Sequence, residues 1–171
     1  NFKDLDGNWF ERGYDQALYL PILYLAKERK FLDEIESFEL KESKDQDIFD
    51  IFILQHRDSK GEKGKFMTKQ VEYYFKNLLS LDGWKIYYID TNKGVLSTAF
   101  CYENKTGCYL YNSSRNNEFN SVNSGIVLND LIIQLLIEKD LSFFDFLKGT
   151  ERYKYDLGGK SVQLYDLIMN I

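Results

Sequence analysis

The chain has 171 residues, enough for one domain with a two- or three-layer core and too few for two full domains. A formal net charge of -5 argues against a polyanion surface, so nucleic acid is not an expected partner. The most apolar stretch, residues 131–137 with Gln134 inside it, falls far short of the ~20 residues that cross a membrane.

The first residues, Asn1-Phe2-Lys3-Asp4, have neither an initiator Met nor a basic-then-apolar leader, as expected of a piece of a longer protein. Residues 1–26 read as an arm or linker remnant around Pro21, and Lys27 to Ile35 as a charged helix. Ser37 to Lys41 alternates apolar and polar as a half-buried strand does. From Asp47 to Arg57, Ile48, Phe49, Phe52 and His56 share one helical face, and a loop from Ser59 to Gly64 ends that helix. A second helix, Thr68 to Leu81, buries Val71, Tyr74, Phe75, Leu78 and Leu79 and stops at Asp82-Gly83.

Three strand signals follow, Trp84 to Ile89, Val95 to Tyr102 and Cys108 to Asn112, with turn residues between them. They read as an antiparallel meander. Ser113 to Asn123 reads as a polar loop. Gly125 to Lys139 is apolar nearly all round, a helix that needs cover on most sides. Phe143 to Leu147 is a short aromatic strand, Gly149 to Asp156 holds a helical turn, and Val162 to Met169 is a last strand. The expected fold class is α/β (α+β), a mixed central sheet with an antiparallel meander flanked by helices.

Cys101 and Cys108 lack metal-type spacing with His56, the one histidine, and read as reduced core thiols of a cytoplasmic protein. A two-residue turn at Asn104-Lys105 would set them directly opposite one another. Ser124-Gly125 opens the long helix, where free N–H groups and the positive helix end suit phosphate oxygens; an ordinary N-cap reads the same way. Asp145, Glu151, Tyr153 and Lys154 form the densest group of proton-transfer side chains. Such groups serve as base or acid in acyl transfer, yet Glu151 and Lys154, three apart, equally suit a surface ion pair. His56 suits a packed core histidine or an acceptor-site base. The strand tyrosines 87, 88, 102, 109 and 111 suit packing.

Several local words carry a resemblance. They are Lys63-Gly64-Lys65-Phe66-Met67, Leu81-Asp82-Gly83-Trp84, Tyr109-Leu110-Tyr111-Asn112-Ser113, Asn123-Ser124-Gly125-Ile126-Val127-Leu128 and Phe144-Asp145-Phe146-Leu147-Lys148-Gly149-Thr150-Glu151-Arg152-Tyr153-Lys154. Together with the element order, they resemble the GNAT-fold acetyltransferases, in particular the CelD-like family related to FemAB-type transferases, over residues 27–171. The resemblance implies the GNAT acyl-CoA N-acyltransferase fold and acetyl-CoA or another acyl-CoA as co-substrate. It also implies a small-molecule amine or hydroxyl acceptor, such as a sugar or cell-envelope precursor, and an additional GNAT-like half upstream. It implies that Asn123, Ser124, Gly125 and Ile126 hold the CoA pyrophosphate, that Asp145, Glu151, Tyr153 and Lys154 serve catalysis, and that His56 lies on the acceptor side. Two other outcomes remain open: a FemAB-type enzyme using aminoacyl-tRNA, which the acidic charge disfavours, and a binding module without catalysis.

Overall fold

A computed structural model describes residues 37–119 and 123–163. The expected arm, the helix at 27–35 and, from residue 164 on, the expected last strand lie outside the described residues. The elements run β1 (Phe38–Ser43), α1 (Gln46–Arg57), α2 (Glu62–Phe66), α3 (Lys69–Leu79), β2 (Trp84–Thr91), β3 (Ser97–Glu103), β4 (Gly107–Arg115), a 3-10 turn (Asn117–Phe119), α4 (Ser124–Glu138), β5 (Phe143–Asp145) and α5 (Arg152–Asp156).

The strands form one sheet in chain order, β1-β2-β3-β4-β5. The first four are antiparallel neighbours, as a meander requires, and β5 returns parallel to β4 after α4. β3 is buried from Ser97 to Cys101 without alternation, because helices cover both of its faces.

The two faces carry different cores. On one, Leu128, Ile132 and Leu136 of α4 pack on Tyr87, Ile89, Ala99, Cys101, Cys108 and Leu110. On the other, α1 and α3 bring Phe49, Phe52, Ile53, Phe75 and Leu79 against Ile86 and Phe100, with Met67 between the helices. Here the packing is ring on ring: Phe52 and Phe75 lie 5.5 and 4.8 Å from Phe100. α3 starts where its sequence says it should, since the Thr68 hydroxyl caps it by accepting from the Val71 amide at 3.2 Å.

Three expectations need correction. β4 does not stop at Asn112 but runs to Arg115, so Ser113 to Arg115 is strand rather than loop. The hairpin before it turns at Lys105-Thr106 rather than Asn104-Lys105, with the Asn104 amide donating to Gly107 O at 3.0 Å. Asn104 Oδ1 accepts from the Thr106 amide, the Thr106 hydroxyl and the Gly107 amide, and this loop pairs Glu103 with Cys108 and Cys101 with Leu110. The two cysteines are therefore diagonal neighbours rather than opposite partners. Both are buried and reduced, and burial pushes the Cys101 thiol well up.

Candidate active site

β4 and β5 pair over three residues only, Gly107 with Phe143, Cys108 with Phe144 and Tyr109 with Asp145. The approach is close at the first pair, where any side chain on Gly107 would run into the Phe143 ring. Past Tyr109, β4 continues for six residues with no strand beside that edge among the described residues. The two parallel strands thus make a fork, closed at the start of β4 and open toward its end.

A β-bulge lies in the open half. Phe100 faces Asn112 while Cys101 faces Leu110, so Tyr111 is the extra residue. The insertion resets the side-chain alternation and turns Tyr111 and Asn112 toward the α1 and α3 face together. Tyr111 packs its ring on Trp84 (5.2 Å) and Phe75 (5.6 Å), and its hydroxyl meets that of Tyr74 at 3.4 Å. Asn112 Oδ1 meets His56 Nε2 at 3.1 Å and accepts from the Ser113 amide at 2.7 Å. Neither Tyr111 nor Asn112 was expected from sequence to belong to the site.

α4 connects β4 to β5 and so runs back against both strands. Its N-terminus therefore lies at the open end of the fork, held there by the Ser97 hydroxyl, which donates to Ser124 O at 3.2 Å. Asn123 is the cap residue and its carbonyl accepts from the Ile126 and Val127 amides. The Ser124 and Gly125 amides come before the first helical bonds and project from the positive helix end. Ser124 is 1% exposed and its hydroxyl oxygen lacks a partner. A Cβ at Gly125 would touch nothing within 4 Å, so there is room beside these donors. Asn123, Ser124, Gly125 and Ile126 thus form one turn at the open end of the fork whose first amides suit an anion.

The group after β5 separates into parts. Asp145 Oδ1 accepts from the Leu147 amide at 2.7 Å, bracing a turn in which Leu147 takes a positive φ of 55°. Lys154 is 6% exposed; its ammonium donates to Lys148 O at 3.0 Å and pairs with Glu151 at 2.9 Å. The Lys154 bond holds the Glu151 carboxyl below its usual range, so Glu151 stays ionised. Gly149 sits under that carboxylate at a φ of 125°, where a side chain would collide with it. Glu151 and Lys154 are occupied with each other in this clasp. Tyr153 packs edge-on against Phe146 at 5.9 Å, and burial and Glu151 raise its phenol, which stays protonated.

His56 stands apart from this group, and among the described residues no hydrogen bond or ion pair joins it to Asp145, Glu151, Tyr153 or Lys154. It is 1% exposed, between the rings of Phe52 (6.0 Å) and Phe66 (5.7 Å). Burial and the Lys63 ammonium lower its pKa despite the bond to Asn112, which keeps the ring neutral. A side chain so enclosed has no open path to an acceptor.

Comparison with known proteins agrees with this geometry. A family model described as an acetyltransferase (GNAT) domain matches residues 24–155. No curated protein sequence matches the chain. Among solved structures, the chain is similar to AAC(6')-Iy in complex with the bisubstrate analogue CoA-S-monomethyl-acetylneamine. The TM-score is 0.56 at 7% identity, covering 80% of this chain and 99% of that one. It is also similar to the aminoglycoside acetyltransferase HMB0005 from an uncultured soil metagenomic sample, with a TM-score of 0.54 at 10% identity, covering 79% and 99%. At such identities the likeness shows the fold alone. The forked sheet and the matching family model together establish that the chain belongs to the GNAT acetyltransferase domain family, acyl-CoA-dependent N-acetyltransferases.

Proposed function

We propose that this chain, a CelD-like member of the family, moves an acetyl or other acyl group from acyl-CoA to an amine or hydroxyl on a small sugar or cell-envelope precursor in the cytoplasm. The observation that carries this reading is the fork itself, with a phosphate-suited helix start at its mouth and a bulged strand edge inside it. Two neighbours of the same fold bear on the acceptor: one is an aminoglycoside acetyltransferase and one holds a CoA-acetylneamine analogue, which supports an aminated sugar. The net charge of -5 favours acyl-CoA over an aminoacyl-tRNA donor.

When bound, acyl-CoA supplies a thioester whose carbonyl accepts the nucleophile and whose thiolate leaves. The Ser124 and Gly125 amides, with Asn123 and Ile126 framing them, would hold the diphosphate. The free β4 edge at the bulge offers backbone N–H groups to the oxygen where negative charge develops. Tyr153, kept protonated, donates a proton to the departing sulfur. Asp145, at the last paired position of the fork, takes the proton that the acceptor loses, while the Glu151 and Lys154 clasp fixes the loop between them.

Calorimetric titration with acetyl-CoA tests the reading, with Gly125→Trp as the control. A Cβ there meets nothing within 4 Å, so the folded variant should lose at least about a hundredfold in affinity. Undiminished binding by the variant would move the donor site elsewhere, and no binding by either protein would favour the non-catalytic module.

A further inference from the structure

The interface between α1 and β4 is apolar through Phe49, Phe52 and Ile53, yet it also buries two polar side chains of α1. Both reach the part of β4 beyond the bulge. Gln55 donates to Val95 O at 2.9 Å and accepts from the Ser114 hydroxyl at 3.1 Å, which meets Thr98 Oγ1 at 2.6 Å. His56 meets Asn112, the residue immediately after the bulged Tyr111. Before the bulge, β4 is held on both edges by strands; after it, β5 is gone and these two side chains are its polar anchors to α1.

His56 is an expensive choice for packing. With Nε2–H donated to Asn112, its Nδ1 makes no hydrogen bond, and a buried unpaired acceptor costs about 1–3 kcal/mol. A leucine would fill the space between Phe52 and Phe66 without that penalty. What the imidazole adds is a directed bond to the side chain that follows the extra residue.

We propose that His56 is a positioning residue: through Asn112 it fixes the β4 bulge, and with it the open strand edge beside the acyl oxygen of the bound donor. This inference rests on the acyl-CoA reading above. It assigns His56 a role in the reaction although the ring itself is sealed from the acceptor, and it adds Asn112 to the working residues.

The test compares CoA with acetyl-CoA by following the Tyr111 and Asn112 amides of the labelled protein by NMR. In the wild type, acetyl-CoA should move the Tyr111 amide in a way that CoA does not. His56→Leu should bind CoA within about twofold of the wild type and lose that acyl-dependent shift. His56→Gln, which keeps an N–H donor, should restore it. If His56→Leu does not fold, Asn112→Ala replaces it with the same expected loss. An acyl-dependent shift that survives both the His56→Leu or Asn112→Ala change, or that is missing from a wild type that does bind CoA, overturns the positioning role alone. A wild type that binds neither ligand overturns the acyl-CoA reading, and this inference with it.

Discussion

The closed and open ends of the fork satisfy their polar groups in opposite ways. At the closed end, where β3 turns into β4 and α4 ends, Tyr87, Lys85, Glu103, Lys139 and Glu42 form a complete network. Tyr87 donates to Glu103, and the two lysines pair with both carboxylates at 3.1 to 3.6 Å. Burial works against the charge on Glu103, but the bonds from Tyr87, Lys85 and Lys139 prevail and hold its carboxyl below the usual range. At the open end, His56 Nδ1 and Ser124 Oγ are buried and unpartnered. Native proteins rarely leave such atoms alone, and those that do so cluster where strain or ligands enter the account. The closed end has its charges paired, whereas the open end keeps buried polar atoms without hydrogen bonds.

The comparison predicts that damage at the closed end costs stability and spares donor binding. The largest effect should come from Leu136→Ala, which empties a fully buried position near the end of α4 and should cost about 2–5 kcal/mol by thermal or chemical unfolding. Acetyl-CoA affinity of the folded fraction should not change; a large loss would mean the two ends are not separable. Glu103→Gln should follow at about 1–3 kcal/mol, because it leaves Lys85 and Lys139 short of a counter-charge where the glutamate is 14% exposed. The sign is fixed by the lowered pKa. The stability contributed by Glu103 is present above its unfolded value near ~4.3 and lost as the pH falls through the folded value, so the difference between wild type and variant should shrink in acid.

The meander around the closed end was legible in the sequence, although the register of the hairpin from β3 to β4 was not. The aromatic and apolar run of β2 and the turn residues after Thr91 locate the meander, and the apolar face of α3 locates that helix, without a structure. The open end was not legible, for a local reason. Ser113 and Ser114 look like loop because they are polar, and Ser114 is polar because it meets Gln55, as Asn112 meets His56, in an otherwise apolar interface. A bulge changes no residue type, so the register shift at Tyr111 leaves no trace in a hydrophobic pattern. The short pairing of β5 is hidden too, since Phe143 to Leu147 reads as a longer strand than the three residues that pair. Ser124-Gly125 was visible as a helix start, whereas the unpartnered state of its hydroxyl needed coordinates. The carboxylate group after β5 was visible as a cluster, but the capture of Glu151 by Lys154 decided which members remain available.

The smallest effect gives the sharpest reading of the open end, because His56 is the one histidine in the chain. Burial, then Lys63, hold its folded pKa below the unfolded value of about 6.5. Well above that pH the ring is neutral in both states and contributes no slope. As the pH falls through ~6.5 the unfolded chain takes up a proton that the folded protein still refuses, so stability present above this point declines by up to about 1.4 kcal/mol per pH unit until the folded value is reached. Ordinary carboxylates titrate below ~5, and no other side chain in this chain has an unperturbed pKa between. Unfolding free energies measured from pH 7 to 5 should therefore fall toward acid more steeply in the wild type than in His56→Gln, whose amide cannot ionise. A wild type no steeper than the variant would mean that His56 meets water and takes its proton as freely folded as unfolded, and the sealed ring that separates the open end from the closed one would not exist.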